Sequence, residues 1–366
     1  MRPELARGTA GLGVFFAAVY AAGGACARRA SELAGICLAQ LEDAVGHFEA
    51  ARRIPEAAMP LGLTDGFAGV MTSLALMEQG LGGGRAAALG QRLLGLLERL
   101  EVEKAGRLDV YSGAAGLVWA LCREYEAGGT QLARAQLARA AGRLLDGRAL
   151  EYRGRLLWDT LGKGRPISGA GHGMAGIAAA LARAGRLLGD GRCLEAARAA
   201  LEFEHGIYSE KLGGWPDLRS SPVPARAMHG LCSGEPGLGL ALLSCRESGL
   251  DFPELEGDLE RARRCCLGRP PLYRDHLCCG NSSSLDFLLS LPDGREHAGR
   301  LLAFMLERAG RNGGFNYLPE GFRGTPVPEL FYGAAGVGYE LLRYALPGRL
   351  PGILFRGGGE QGEIRS

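Results

Sequence analysis

The chain has 366 residues, is 47% hydrophobic and carries a net charge of +2 from 42 basic and 40 acidic side chains. Its 60 glycines, about 16% against a usual ~7%, follow no Gly-X-Y period, and the apolar content suffices for a large core, so fibrous and disordered chains are excluded. No block of like charge marks a nucleic-acid or anionic-membrane surface, and no apolar run reaches the ~18–20 residues of a membrane span.

The glycines are placed by a repeat: Gly-x-x-Gly followed by an apolar helix. In chain order the first copy is Gly8-Thr9-Ala10-Gly11 before LGVFFAAVY. Met1 to Arg7, the apolar Leu12–Ala22 run and Cys26 mimic a secretion signal, but the apolar residue expected three positions before Cys26 is missing and the repeat explains the segment better. The second copy is Gly66-Phe67-Ala68-Gly69, the third Gly113-Ala114-Ala115-Gly116 and the fourth Gly173-Met174-Ala175-Gly176. The fifth is Gly234-Glu235-Pro236-Gly237, the sixth a degenerate Gly280-Asn281-Ser282-Ser283 and the seventh Gly333-Ala334-Ala335-Gly336.

Start-to-start spacings of 58, 47, 60, 61, 46 and 53 residues suit one helical hairpin per copy. The helices after the glycines are apolar nearly all round, as buried helices are. The segments between copies are amphipathic, with Leu and Ala at i, i+3, i+4 and i+7 and arginine opposite. Neither end of the series carries a polar cap, so a closed ring is expected rather than an open solenoid. The predicted fold is an all-α, α/α toroid of seven inner and seven outer helices over residues 1–354, with 355–366 as a flexible tail. Gly82-Gly83-Gly84 and Gly357-Gly358-Gly359 read as plain flexible loop and tail. The turn glycines are expected to supply positive φ and close backbone approach. All seven turns then share one end of the ring, where exposed helix N–H groups converge.

Four turns carry reactive side chains. Asp109 precedes the third, His172 stands in the fourth, Cys232 precedes the fifth, and Cys278 and Cys279 precede the sixth. Closure sets the fifth and sixth turns side by side, so three thiols meet. Three thiolates with one open position suit a catalytic zinc. A four-ligand structural site with His229 or His276 stays open, as does simple burial of the thiols. Asp109 either orients His172 as an acid/base unit or caps its own helix. Asp65, before the second turn, keeps open a carboxylate pair of the glycan-hydrolase type. The other cysteines (26, 37, 122, 193, 245, 265 and 266) form no secreted disulfide framework, and a reducing cytoplasm is the simplest compartment. Only three lysines among 42 basic residues, with the Ala and Gly excess, suggest a GC-rich bacterial coding bias.

The ordered set of turns, with SGAGHGMAGI, LCSGEPGLGLAL, DHLCCGNSS and ELFYGAAGVGYELLRY, resembles the lanthionine synthetase C-like cyclases from Gly8 to Leu354. It is most similar to the cyclase domain of class II lanthipeptide synthetases. The resemblance implies an α/α toroid that adds a cysteine thiolate to dehydroalanine or dehydrobutyrine in a dehydrated precursor peptide, closing a thioether ring. It implies Zn²⁺ on Cys232, Cys278 and Cys279, His172 as acid/base, Asp109 orienting it, and an active-site arginine shortly before Cys232, for which Arg226 is nearest. Most members have Cys-His-Gly at the sixth turn. Cys278-Cys279-Gly280 matches a three-cysteine subgroup linked to broad substrate tolerance, and Leu231 replaces a usual tryptophan. No kinase-type or P-loop phosphate motif appears and the length leaves no room for a dehydratase domain, so a separate dehydratase is the expected partner. A noncatalytic peptide- or thiol-binding module on the same fold is the alternative.

Overall fold

The computed structural model describes residues 3–51, 60–223, 226–320 and 325–355. Six helical hairpins follow one another. They are α1 (Thr9–Ala22) with α2 (Ala27–Ala50), α3 (Phe67–Leu81) with α4 (Arg85–Leu96), and α5 (Ala114–Gly128) with α6 (Gln131–Asp146). A two-stranded ribbon, β1 (Leu150–Tyr152) and β2 (Arg155–Leu157), pairs antiparallel with Glu151 opposite Leu156. Then come α7 (Met174–Leu188) with α8 (Gly191–Ile207), α9 (Glu235–Glu247) with α10 (Leu255–Gly268), and α11 (Asn281–Leu289) with α12 (Arg295–Asn312). The last helix, α13 (Ala334–Ala345), has no following partner among the described residues.

The odd-numbered helices form the inner wall. Each packs on the next, and α13 packs back on α1, so the ring closes. Burial follows the predicted pattern: every residue of α7 from Met174 to Gly185 is buried, whereas α12 buries only Ala298, Leu302 and Met305. Two outer helices carry a side-chain N-cap: Thr130 Oγ1 accepts from the Ala133 N–H at 3.1 Å before α6, and Asp190 Oδ1 accepts from the Arg192 N–H at 3.0 Å before α8.

Six outer helices are present among the described residues, not seven. The second arm of the seventh hairpin would follow α13, where the sequence reads Leu-Pro-Gly-Arg-Leu-Pro-Gly (346–352). Two Pro-Gly pairs forbid a helix there. The chain instead re-enters the ring. Tyr339 donates its hydroxyl to the Pro351 carbonyl at 2.9 Å, and Ile353, Leu354 and Phe355 are fully buried. Phe355, assigned by sequence to the tail, therefore belongs to the core, and the remaining tail lies outside the described residues. Phe16 and Tyr20 on α1 and Leu341 on α13 stay partly exposed.

The turns are tied into a continuous belt. The residue two places before each first glycine bonds around the ring by backbone. Ala6 donates to Thr64 (3.0 Å), Thr64 to Tyr111 (2.9 Å), Tyr111 to Gly171 (3.1 Å) and Gly171 to Cys232 (2.8 Å). Leu231 beside Cys232 donates to Cys278 (2.7 Å), Cys278 to Phe331 (2.9 Å), and Phe331 back to Ala6 (3.0 Å).

The glycines serve this belt by close approach, not by positive φ. Six of the seven first glycines are extended, with only Gly234 at φ 133°. A Cβ on the second glycine of a turn would meet the carbonyl oxygen six residues back, at 2.2 Å for Gly69 and 1.9 Å for Gly176. Positive φ matters elsewhere: Gly82, Gly83 and Gly84 lie at 66°, 84° and 79° in the reversal from α3 to α4. The convergent helix N–H groups are not free either. Phe67, Ala114, Met174, Asn281 and Ala334 donate to carbonyls of their own turns.

Candidate metal centre

The belt fixes which side chains meet. Cys232 and Cys278 are belt residues. His172 and Cys279 each stand one place later, immediately before a first glycine, as do Arg7, Asp65, Ser112, Ser233 and Tyr332 in the other turns. Equivalent positions in different repeats thus face one mouth of the ring.

The Cys232 and Cys279 sulfurs lie 3.2 Å apart, those of Cys278 and Cys279 3.5 Å, and all three within 4.8 Å of one another. All ten cysteines are free thiols. Thiolates on a tetrahedral zinc, at ~2.3 Å each, lie ~3.8 Å apart, so the cluster fits such an ion with little movement and leaves a fourth position to another ligand. An all-sulfur set selects a thiophilic ion over Mg²⁺ or Ca²⁺.

Neither histidine completes a four-ligand site. His229 Nδ1 pairs with both Glu235 carboxylate oxygens at 2.8 and 2.9 Å. His276 Nδ1 accepts the Cys279 N–H at 3.2 Å, and neither ring joins the sulfur group. The thiols are electrostatically unequal. Hydrogen bonds from Cys278 and Cys279, then the charges of Arg219 and His172, hold Cys232 well below the ordinary thiol range despite burial. Cys278 is pushed well above it, and Cys279 up to about 12, chiefly by their bonds with Cys232.

One turn away, His172 Nδ1 meets Asp109 Oδ2 at 2.6 Å, and Asp109 Oδ1 accepts the Ser112 N–H at 2.7 Å. Asp109 is thus both an orienting group and a turn cap. Nδ1 being engaged, Nε2 is the ring nitrogen left for proton transfer. The turn holding His172 is bracketed from outside. Glu204 on α8 accepts from the Ser168 hydroxyl (2.7 Å) and the Gly169 and Ala175 N–H groups (2.8 and 2.9 Å). Asp65 reaches the same network through Ser112, whose hydroxyl donates to it at 3.1 Å. Asp109 is 1% exposed with both oxygens engaged, so Asp65 and Asp109 do not flank a cleft as glycan-cleaving carboxylates do.

The arginine near the sulfurs is Arg219, not Arg226. Its Nη1 is 3.9 Å from Cys232 Sγ, while Nε and Nη2 bind Asp217 at 3.0 and 3.3 Å. Arg226 is exposed, and its carbonyl accepts the Asp217 N–H at 3.2 Å. Sequence reasoning searched close to Cys232 and missed a residue 13 places upstream in an irregular loop; the neighbouring Asp217-x-Arg219 spacing was the only available signal. Tyr111 and Tyr332, beside Cys278, were also missed, because tyrosine in a glycine turn carries no signature of its own.

A closed toroid of helical hairpins with a thiol-rich mouth defines the class: an α/α barrel with a candidate sulfur-ligated metal centre. The family model for lanthionine synthetase C-like proteins matches residues 1–355, and the chain belongs to that family. Among solved structures it is similar to nisin cyclase, with a TM-score of 0.63 over 94% of this chain and 88% of that one at 15% identity, a likeness of fold. Comparison with curated protein sequences finds no match.

Proposed function

We propose that the chain is a zinc-dependent peptide cyclase that adds a cysteine thiolate to dehydroalanine or dehydrobutyrine in a dehydrated precursor peptide. The observation that carries the reading is the meeting of three free sulfurs from two neighbouring turns within 4.8 Å, one turn from an Asp-held histidine. A zinc ion bound by Cys232, Cys278 and Cys279 would supply Lewis acidity that keeps an incoming peptide thiol deprotonated at neutral pH.

The chain's own residues handle the protons. His172 takes the proton of the arriving thiol at Nε2 while Asp109 steadies Nδ1–H and the resulting positive charge. The sulfur attacks the β-carbon, a C–S bond forms, and the C=C pair shifts to an enolate. His172 returns the proton to the α-carbon, so thiol plus alkene gives thioether with nothing left over. Arg219 offers fixed positive charge beside Cys232 against the accumulating thiolates. Arg226 is kept only as a weaker candidate for that role. The reaction consumes dehydrated residues, so a dehydratase activity must supply its substrate. Ten unpaired thiols support a reducing cytoplasm. Among the described residues, no helix is long and apolar enough to cross a membrane.

Cyclisation leaves peptide mass unchanged, so the test counts thiols. Zinc-loaded protein with a peptide bearing one cysteine and one dehydroalanine should make the cysteine inert to N-ethylmaleimide. A peptide that binds yet keeps its reactive thiol would instead identify a noncatalytic binding module.

A further inference from the structure

Three thiolates on a divalent ion leave one excess negative charge, and a substrate thiolate adds a second. Such charge, in a mouth lined by buried residues, needs donors around the sulfurs. Cys232 has Arg219. Cys278 is 3% exposed, and among the described residues the groups beside it are two phenols.

Tyr111 is the belt residue of the third turn, 167 positions before Cys278, and reaches across the ring mouth to place its hydroxyl 3.9 Å from Cys278 Sγ. Its ring is locked edge-on against His172 (centroids 5.2 Å) and Phe331 (6.0 Å). Tyr332 comes from the adjacent seventh turn, and its hydroxyl is close enough to Cys278 and Arg7 to interact with both. The Arg7 guanidinium lies 4.6 Å from the Tyr332 ring centroid and fixes it from the other side.

We propose that Tyr111 and Tyr332 are positioning residues for the Cys278 sulfur, donating O–H···S bonds that orient it and lower the electron density it offers a bound metal. The proposal rests on the metal-centre reading above. A phenol is protonated at neutral pH, so both hydroxyls can donate. The consequence is inequality among ligands. Cys278 becomes the damped, spectator sulfur, leaving the substrate thiolate as the more nucleophilic one.

The test uses the full chain loaded with Co²⁺, whose sulfur-to-metal charge-transfer band reports thiolate electron density. Tyr111→Phe and Tyr332→Phe keep the rings and remove only the hydroxyls. Each should move the band to longer wavelength and weaken Co²⁺ binding about tenfold, and the double variant should do both more strongly. Cys278 in the loaded variants should also alkylate faster with iodoacetamide, mapped by peptide mass. Tyr208→Phe is the control, because it removes a phenol 3.8 Å from Cys265 Sγ, outside the site, and should change nothing. An unmoved band in both variants, or weaker binding without a band shift, overturns the proposal. Failure of the unaltered protein to bind Co²⁺ overturns the metal-centre reading and the proposal with it.

Discussion

The two ends of the ring both bury ionisable groups, and they use them differently. At the turn end, three thiols and His172 Nε2 are left able to react. Further along the inner helices, charge is cancelled. Arg343 donates to Asp286 at 2.5 Å and Glu340 at 2.7 Å, all three being buried. Arg183 lies over the Trp119 ring and pairs with Glu126. Phe355 packs against Trp119 at 5.3 Å. The chain's own Pro351–Phe355 segment packs into that end, while a backbone belt runs round the other. Burial alone therefore does not mark a site; the gathering of nucleophilic and proton-transferring groups from several turns does.

The sharpest way to break the comparison is to remove chemistry without removing structure. Cys279→Ala leaves two protein sulfurs, so bound zinc should fall from about one per chain to near zero and cyclisation should vanish. The thermal midpoint of the metal-free protein should stay unchanged. The converse change is Arg343→Met, which removes the guanidinium that bonds Asp286 and Glu340. Breaking such a buried pair costs about 3–5 kcal/mol, read as a lower denaturation midpoint, while zinc stoichiometry of the folded protein holds. If Arg343→Met abolished zinc binding in folded protein, the two ends would not be independent.

Smaller effects sharpen the turn end itself. Arg219→Ala should slow cyclisation by about tenfold, as loss of one fixed charge near a thiolate implies, whereas Arg226→Ala should stay within about twofold. Equal effects would undo the preference for Arg219. The smallest effect concerns Glu204, which burial pushes up to about 7 against its three donors. Its folded value lies above the unfolded one, so the stability it contributes is full below about pH 4.5 and is lost as pH rises through about 7. Glu204→Gln should flatten that decline in a pH series of urea melts; an unaltered slope would reject the assignment.

The same contrast explains what could be read from sequence. The turn end was legible because steric need repeats: each second glycine faces a carbonyl six residues back, so Gly-x-x-Gly recurs and aligns Asp109, His172, Cys232, Cys278 and Cys279. The ring and its thiol cluster followed. The far end was not legible. Arg343, Glu340 and Asp286 are single charged residues in helices, indistinguishable by pattern from solvent-facing ones. Among the described residues the repeat's seventh outer helix is not seen, and the two Pro-Gly pairs at 347–352 explain why none starts directly after α13. Arg219 lies in irregular chain, where position in space follows from tertiary packing rather than from any repeat.

The central claim is that the three cysteines hold zinc with a fourth position for the substrate sulfur. X-ray absorption at the zinc K-edge tests it directly. The account predicts three sulfur scatterers at about 2.3 Å plus one lighter ligand in the free protein, becoming four sulfurs when a cysteine-containing dehydrated peptide is added. A zinc shell without three sulfurs, or one that the peptide leaves unchanged, would contradict it.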